Sequence, residues 1–345
     1  MTKKKQDPIA LIKPKKLDNL RMYELAKDHL SEKMQELYKE CGTFNLYIST
    51  LDKEKKKMVG GNHCKNRFCP ICAWRKARKD AMALSVVMEA MHEEHDVKYL
   101  FLTLTTPNVK ANEVKSEIES MNKAFHKLFK RRKIDRVIQG YARKLEMTYD
   151  GNPLITTPLF EKKQAYYERS GLKVGDENPT YDTYNPHFHV VLAVKKSYFN
   201  DSKNYIKRNE WLEMWREVTG DYTITQVHIE RIKEKQTRNA VLEIAKYSAK
   251  SNDMGVSPEV FETFYNSLKG KQVIAYSSLF KEYMLKYRAN ELEQYMEKDK
   301  NEYFYKIMAN WRVDQSDFVL EYVALTELEI EKYNKDLIYE SEDIE

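Results

Sequence analysis

The sequence lacks any apolar run approaching the roughly 18 residues that a membrane-spanning helix needs, so a globular, non-membrane protein is expected. Its start, MTKKK, is not followed by the apolar stretch of a secretory signal, and a cytoplasmic address is the expectation. No internal repeat is present, which excludes solenoid architectures, and no low-complexity tract interrupts the chain. Cysteine is scarce: the 345 residues contain four, Cys41, Cys64, Cys69 and Cys72.

What is present is charge and aromatic surface. The formal net charge is +6, but residues 320–345 hold nine acids and two bases, so their net −7 leaves +13 for residues 1–319. A basic body with 24 Tyr and 13 Phe suits a polyanion whose bases stack on rings and whose phosphates make binding salt-dependent. An ordinary aromatic core accounts for the same count.

The order of patterns predicts four regions. Residues 1–40 read as a basic arm, over about the first 20 residues, followed by an amphipathic helix from Asn19 to about Tyr38. Residues 41–95 form a cysteine module and a connecting helix, roughly Arg75 to His92. Residues 96–252 alternate strands and helices. VKYLFLTLTT has the period of a strand, Ile118, Met121, Phe125 and Leu128 mark a helix, and strands are expected over 137–149, 187–194 and 223–232. Helices are expected over about 205–218 and 236–250. The order β-α-β-β-α-β-α is the ferredoxin-like split βαβ arrangement, an α+β fold in which the first and third strands lie together in a central antiparallel sheet. About 35 residues between the second and third strands form an insertion, far longer than a hairpin requires. Residues 253–345 read as mainly helical, with a possible short strand QVIAYSS and an acidic tail.

Cys64-x4-Cys69-x2-Cys72, with Cys41 upstream, places all four cysteines within 32 residues. In a cytosolic chain such thiols stay reduced, and zinc is their usual occupant. A closed four-ligand set would make the Zn²⁺ structural. His63 is an alternative to Cys41, since imidazole serves zinc equally well. The neighbouring Lys65, Arg67, Arg75, Lys76, Arg78 and Lys79 would turn the module toward DNA.

In NPHFHVVLAV, strand alternation puts His187 and His189 on one face and Phe188 and Val190 on the other. Glu146, near the end of the preceding strand, is within reach of the same ion if the two strands pair. Two imidazoles and a carboxylate leave coordination positions open for phosphate and water. Thr103 and Thr105 share a face of the adjacent strand and are read either as site partners or as ordinary strand residues. In NAVLEIAKYSAKS, Glu243, Tyr247 and Lys250 occupy one helical stripe. Lys246 and Lys250 beside Tyr247 favour its phenolate.

These residues resemble the HUH endonuclease superfamily, and within it the Rep_1-type initiators of small rolling-circle plasmids of Gram-positive bacteria. The resemblance covers about residues 41–285, through CKNRFCPICAWRKAR, FLTLTTPNV, GYARKLEMTYD, NPHFHVVLAV, EIAKYSAKS and LKGKQVIAYSSLFKEY in order. It implies that His187 and His189 bind a catalytic Mg²⁺ or Mn²⁺ with Glu146 as third ligand. It implies that Tyr247 attacks the scissile phosphate and that Glu243 serves termination by hydrolysis, with no second tyrosine. The implied partners are plasmid double-strand origin DNA, as a hairpin or single-stranded nick site, and host helicase and replication machinery. Association into a homo-oligomer stays open. A conjugative relaxase or a single-strand transposase shares the metal and tyrosine chemistry, and a non-catalytic zinc-containing DNA-binding regulator is the alternative of another class.

Overall fold

A computed structural model describes residues 7–233, 237–245 and 249–335. The chain forms two compact units, one built from described residues 7–95, 237–245 and 280–335 and the other from 96–233 and 249–279.

The first unit opens with α1 (Pro8–Ala26). Asp7 caps it by accepting the Ile9 N–H at 3.0 Å, and Pro8 sits at its first position, where a missing N–H costs nothing. Ile9, Ile12, Lys16, Asn19 and Met22 are buried along it. Residues 8–20 are therefore a packed helix and not an arm: Ile9, Ile12, Lys16 and Asn19 turn inward, while Leu17 and Leu20 stay exposed. A 3₁₀ turn (Lys27–His29) and an extended Ser31 separate α1 from α2 (Glu32–Lys39), so the single helix expected over 19–38 is two. Strands β1 (Phe44–Ser49) and β2 (Lys56–Gly61) pair antiparallel, and α3 (Pro70–His95) follows.

The second unit begins with β3 (Val97–Thr105), α4 (Val114–Phe129), α5 (Arg132–Asp135) and β4 (Ile138–Asp150). The insertion contains α6 (Thr157–Lys162) and α7 (Gln164–Arg169). Then come β5 (Thr183–Lys195), α8 (Arg208–Thr219) and β6 (His228–Ile232). Residues 223–227, expected to open this last strand, lie outside it. The all-antiparallel core pairs β6 with β3, β3 with β5 and β5 with β4. In sequence order this is 4-1-3-2, with the first and third strands adjacent as expected. Apolar side chains on one face meet α4 and α8: Phe188 packs edge-on against Phe125 at 5.4 Å, and Phe129 lies 6.4 Å from Trp211. The opposite face is left to the polar residues of the site.

After α9 (Thr237–Ala245), which packs on α3 in the first unit, the chain forms α10 (Ser251–Met254), α11 (Pro258–Leu268) and β7 (Ile274–Tyr276). The last of these is the short strand expected in QVIAYSS, and it extends the sheet beside β4. Helix α12 (Ser278–Arg288), strands β8 (Tyr305–Arg312) and β9 (Asp317–Ala324) and helix α13 (Glu327–Asn334) complete the described chain. The C-terminal region thus carries a hairpin that its pattern did not announce. That hairpin joins the N-terminal strands in a sheet of order β2-β1-β8-β9. Ile9 from α1 packs with Tyr47, Ile307 and Ala309, while Ile330 and Tyr333 from α13 pack with Ile48, Tyr303 and Leu325. Among the described residues no helix is long and apolar enough to cross a membrane.

Candidate metal centres

Strand pairing assembles the first centre. Glu146 on β4 is the register partner of His187 on β5, and His189 stands opposite Thr103 on β3. With a side-chain period of two, His187, His189 and Glu146 share the sheet face opposite the helices. One ligand atom from each lies within 4.8 Å of the others. Glu146 Oε2 is 3.3 Å from His189 Nε2 and 4.0 Å from His187 Nε2.

Neighbours orient both imidazoles. The Asn185 carbonyl lies 3.0 Å from His187 Nδ1, so a proton there leaves Nε2 with its lone pair toward the carboxylate. The Thr103 hydroxyl is 3.3 Å from His189 Nδ1, and Phe101 stacks on that ring at 5.5 Å. Thr105 reaches the site indirectly, through a hydrogen bond to the Asn185 side chain. Both threonines are thus site partners.

Electrostatics prepares the set for a cation. Burial pushes the Glu146 carboxyl up, yet His189, His187 and the charge of Lys144 outweigh it and hold it down to about 2. Burial, reinforced by His189, lowers His187 against the opposing pull of Glu146. An ionised carboxylate beside a neutral imidazole is the protonation state a divalent ion requires. Glu146 Oε2 is buried and, apart from His189 Nε2 at 3.3 Å, meets no hydrogen-bond donor among the described residues, an acceptor that a cation would satisfy. The donors fit the divalent ion the sequence implied.

Three residues near this centre escaped sequence reading. Lys144, fully buried, is the register partner of His189. Lys162 of α6 acts on the charge of both His187 and Asp253. The Asp253 carboxyl, on α10, is raised by burial, with Glu146 adding to the effect and Lys250 and Lys162 opposing it. The alternation of β4 was the available signal for Lys144; for Lys162 and Asp253 there was none.

Glu243 is half-buried on α9, and Lys250 is the extended residue that caps α10, so the helix expected over about 236–250 does not reach Lys250. Tyr247 lies outside the described residues.

The second centre gathers Cys41, Cys64, Cys69 and Cys72, whose sulfurs all lie within 4.8 Å of one another. Cys41 Sγ is 3.5 Å from Cys72 Sγ and 3.6 Å from Cys69 Sγ, and Cys64 Sγ is 3.6 Å from Cys72 Sγ. Four sulfurs around a tetrahedral zinc at about 2.3 Å would sit about 3.8 Å apart, so the spacing fits that ion. Cys41, not His63, completes the group. His63 instead turns its Nδ1 to the Gly61 carbonyl at 2.9 Å.

Fold and centres together define an α+β protein with, among its described residues, two clusters of side chains that could hold a metal ion. A family model described as "Replication protein" (Rep_1) matches residues 55–319. A "Protein rep" from Staphylococcus aureus is 43% identical over 239 residues, covering 69% of this chain and 92% of that one. Two further proteins named "Protein rep" extend the likeness: one from Streptococcus pneumoniae serotype 2 (strain D39 / NCTC 7466), 29% identical over 89% of this chain and 91% of its own, and one from Lentilactobacillus hilgardii, 28% identical over 89% and 93%. No solved structure matches the chain significantly. The chain belongs to the Rep_1 family of replication proteins.

Proposed function

We propose that this protein initiates rolling-circle replication of a plasmid in the cytoplasm by nicking one strand of the double-strand origin. The observation that carries the proposal is the convergence of Glu146, His187 and His189 on one sheet face in a chain of the replication-protein family. That family membership favours an initiator over a conjugative relaxase, a transposase or a regulator.

The two histidines and Glu146 would hold Mg²⁺ or Mn²⁺, which when bound supplies Lewis-acid polarisation of the scissile phosphate. Lys144 and Lys162 add positive charge around the phosphate's path. Tyr247 is the proposed nucleophile. Its phenolate oxygen attacks phosphorus, the bond from phosphorus to the 3′ oxygen breaks, and that oxygen takes a proton from water to become the 3′ hydroxyl able to prime synthesis. Tyr247 stays joined to the 5′ phosphate. Glu243 would activate water, or strand transfer would occur, when the replicated strand returns. The four cysteines would hold a structural zinc beside a basic surface that follows the DNA. A host helicase is the expected partner, since a nick does not by itself unwind a duplex.

Incubating the protein with a single-stranded origin oligonucleotide and Mn²⁺ tests the proposal. A covalent adduct is expected with the wild type, none with Tyr247→Phe, and none with His187→Ala and His189→Ala combined. No adduct from the wild type, or an equal yield from Tyr247→Phe, would overturn it.

A further inference from the structure

The buried polar residues of α1 converge on the cysteine cluster. Lys16 is fully buried, an unusual state for an ammonium. Its Nζ donates to the Lys39 carbonyl at 2.8 Å, the Cys41 carbonyl at 2.9 Å and the Asn19 side-chain oxygen at 3.0 Å. Asn19, also fully buried, turns its amide the other way, donating to Cys69 Sγ at 3.3 Å and to the Tyr38 carbonyl at 3.3 Å. Backbone donors complete the shell: the Cys64 N–H points to Cys41 Sγ at 3.5 Å and the Lys65 N–H to Cys72 Sγ at 3.1 Å.

Four thiolates around one divalent ion carry a net charge of about −2. Burying such a charge uncompensated is costly. A nearby ammonium fixed by three acceptors, linked through Asn19 to a thiolate, supplies the compensation. The same lysine would be expensive to bury on an uncharged cluster.

We infer that α1 is the docked lid of the cysteine centre, with Lys16 as its buried counter-charge and Asn19 as a sulfur-directed donor, so that zinc loading and the docking of α1 stabilise each other. The inference rests on the zinc reading of the four cysteines. It makes Lys16 and Asn19 positioning residues, and it gives the N-terminal helix a metal-dependent state. The family match begins at residue 55, downstream of α1, so the lid lies in a segment to which that match assigns no role.

The test uses the full chain. Zinc content is measured by elemental analysis, zinc release is timed with a colorimetric chelator, and α1 is probed with trypsin, for which Lys15 and Lys16 are sites. One zinc per wild-type chain is expected, with slow release and with protection at Lys16 that chelation removes. Lys16→Met should release zinc about 10- to 100-fold faster. Asn19→Leu, which keeps volume but deletes the N–H···S contact, should shift the thiolate-to-cobalt charge-transfer band of the cobalt-loaded protein. Absence of zinc from the wild type would sink the zinc reading and the lid with it. Zinc present, but with unchanged release in Lys16→Met and an unshifted band in Asn19→Leu, would overturn the lid alone. So would protection of α1 that persists after complete chelation.

Discussion

At the scale of single residues, the histidine face shows how a strand turns sequence period into chemistry. His187, His189 and Glu146 were legible because alternation assigns a face and because β4 and β5 run as neighbours. The partners that tune them were only half legible, since a threonine in a strand is commonplace until its register is known. Thr103 is the informative one. Its hydroxyl, 3.3 Å from His189 Nδ1, fixes the ring so that Nε2 faces the carboxylate. Thr103→Val keeps shape and β-branching but deletes that hydroxyl. It should weaken the apparent Mn²⁺ affinity in cleavage assays about 10- to 100-fold, with activity restored at saturating metal. An unchanged metal titration would show that packing against Phe101 suffices to orient the ring. Lys16 marks the opposite limit of legibility. Patterning counts every lysine as solvent-facing, and the acceptors that make this one tolerable come from Lys39 and Cys41, far along the chain.

At the scale of elements, one carboxylate ties together three residues of the insertion between β4 and β5. Asp150, the last residue of β4, accepts the Thr180 hydroxyl at 2.7 Å, the Asn178 amide at 3.0 Å and the Lys163 ammonium at 3.1 Å. Burial pushes the Asp150 carboxyl up, but Thr180, Lys163 and Asn178 together hold it below its ordinary value. A carboxylate lowered in the folded state stabilises above its unfolded pKa, about 4, and that contribution disappears as pH falls through the folded value. The insertion should therefore be protease-resistant at neutral pH and open progressively below about pH 4. Asp150→Asn should lose about 1–3 kcal/mol of local stability at neutral pH, measured by hydrogen exchange over 151–182, with little further loss on acidification. Equal acid sensitivity in wild type and variant would place the switch elsewhere. This anchor was hidden because its partners lie up to 30 residues away on an irregular segment. The β8–β9 hairpin was hidden differently. Ile307, Ala309 and Trp311 are buried at a period of two, a strand signal, but β8 takes its second partner, beside β9, from β1 at the other end of the sequence.

At the scale of the whole molecule, charge is the property that reaches beyond any one site. The +13 carried by residues 1–319 opposes the −7 of residues 320–345. Part of that acidity is structural: Glu329 caps α13 through Thr326 and pairs with Lys306 at 2.8 Å. The final ten residues, 336–345, hold five acids and no base, and a net charge of −5 would compete electrostatically with phosphate for the basic body. Removing residues 336–345 should tighten non-specific duplex binding at low salt. Because the effect is screened, the advantage should shrink as salt approaches the physiological range, where the Debye length falls to about 8 Å. Both chains should show log K falling linearly with log salt, the truncated chain more steeply, since it forms phosphate contacts that the tail no longer contests. Fluorescence anisotropy with a duplex of unrelated sequence measures both slopes. Coincident lines at every salt concentration would mean that the tail does not face the DNA-binding surface.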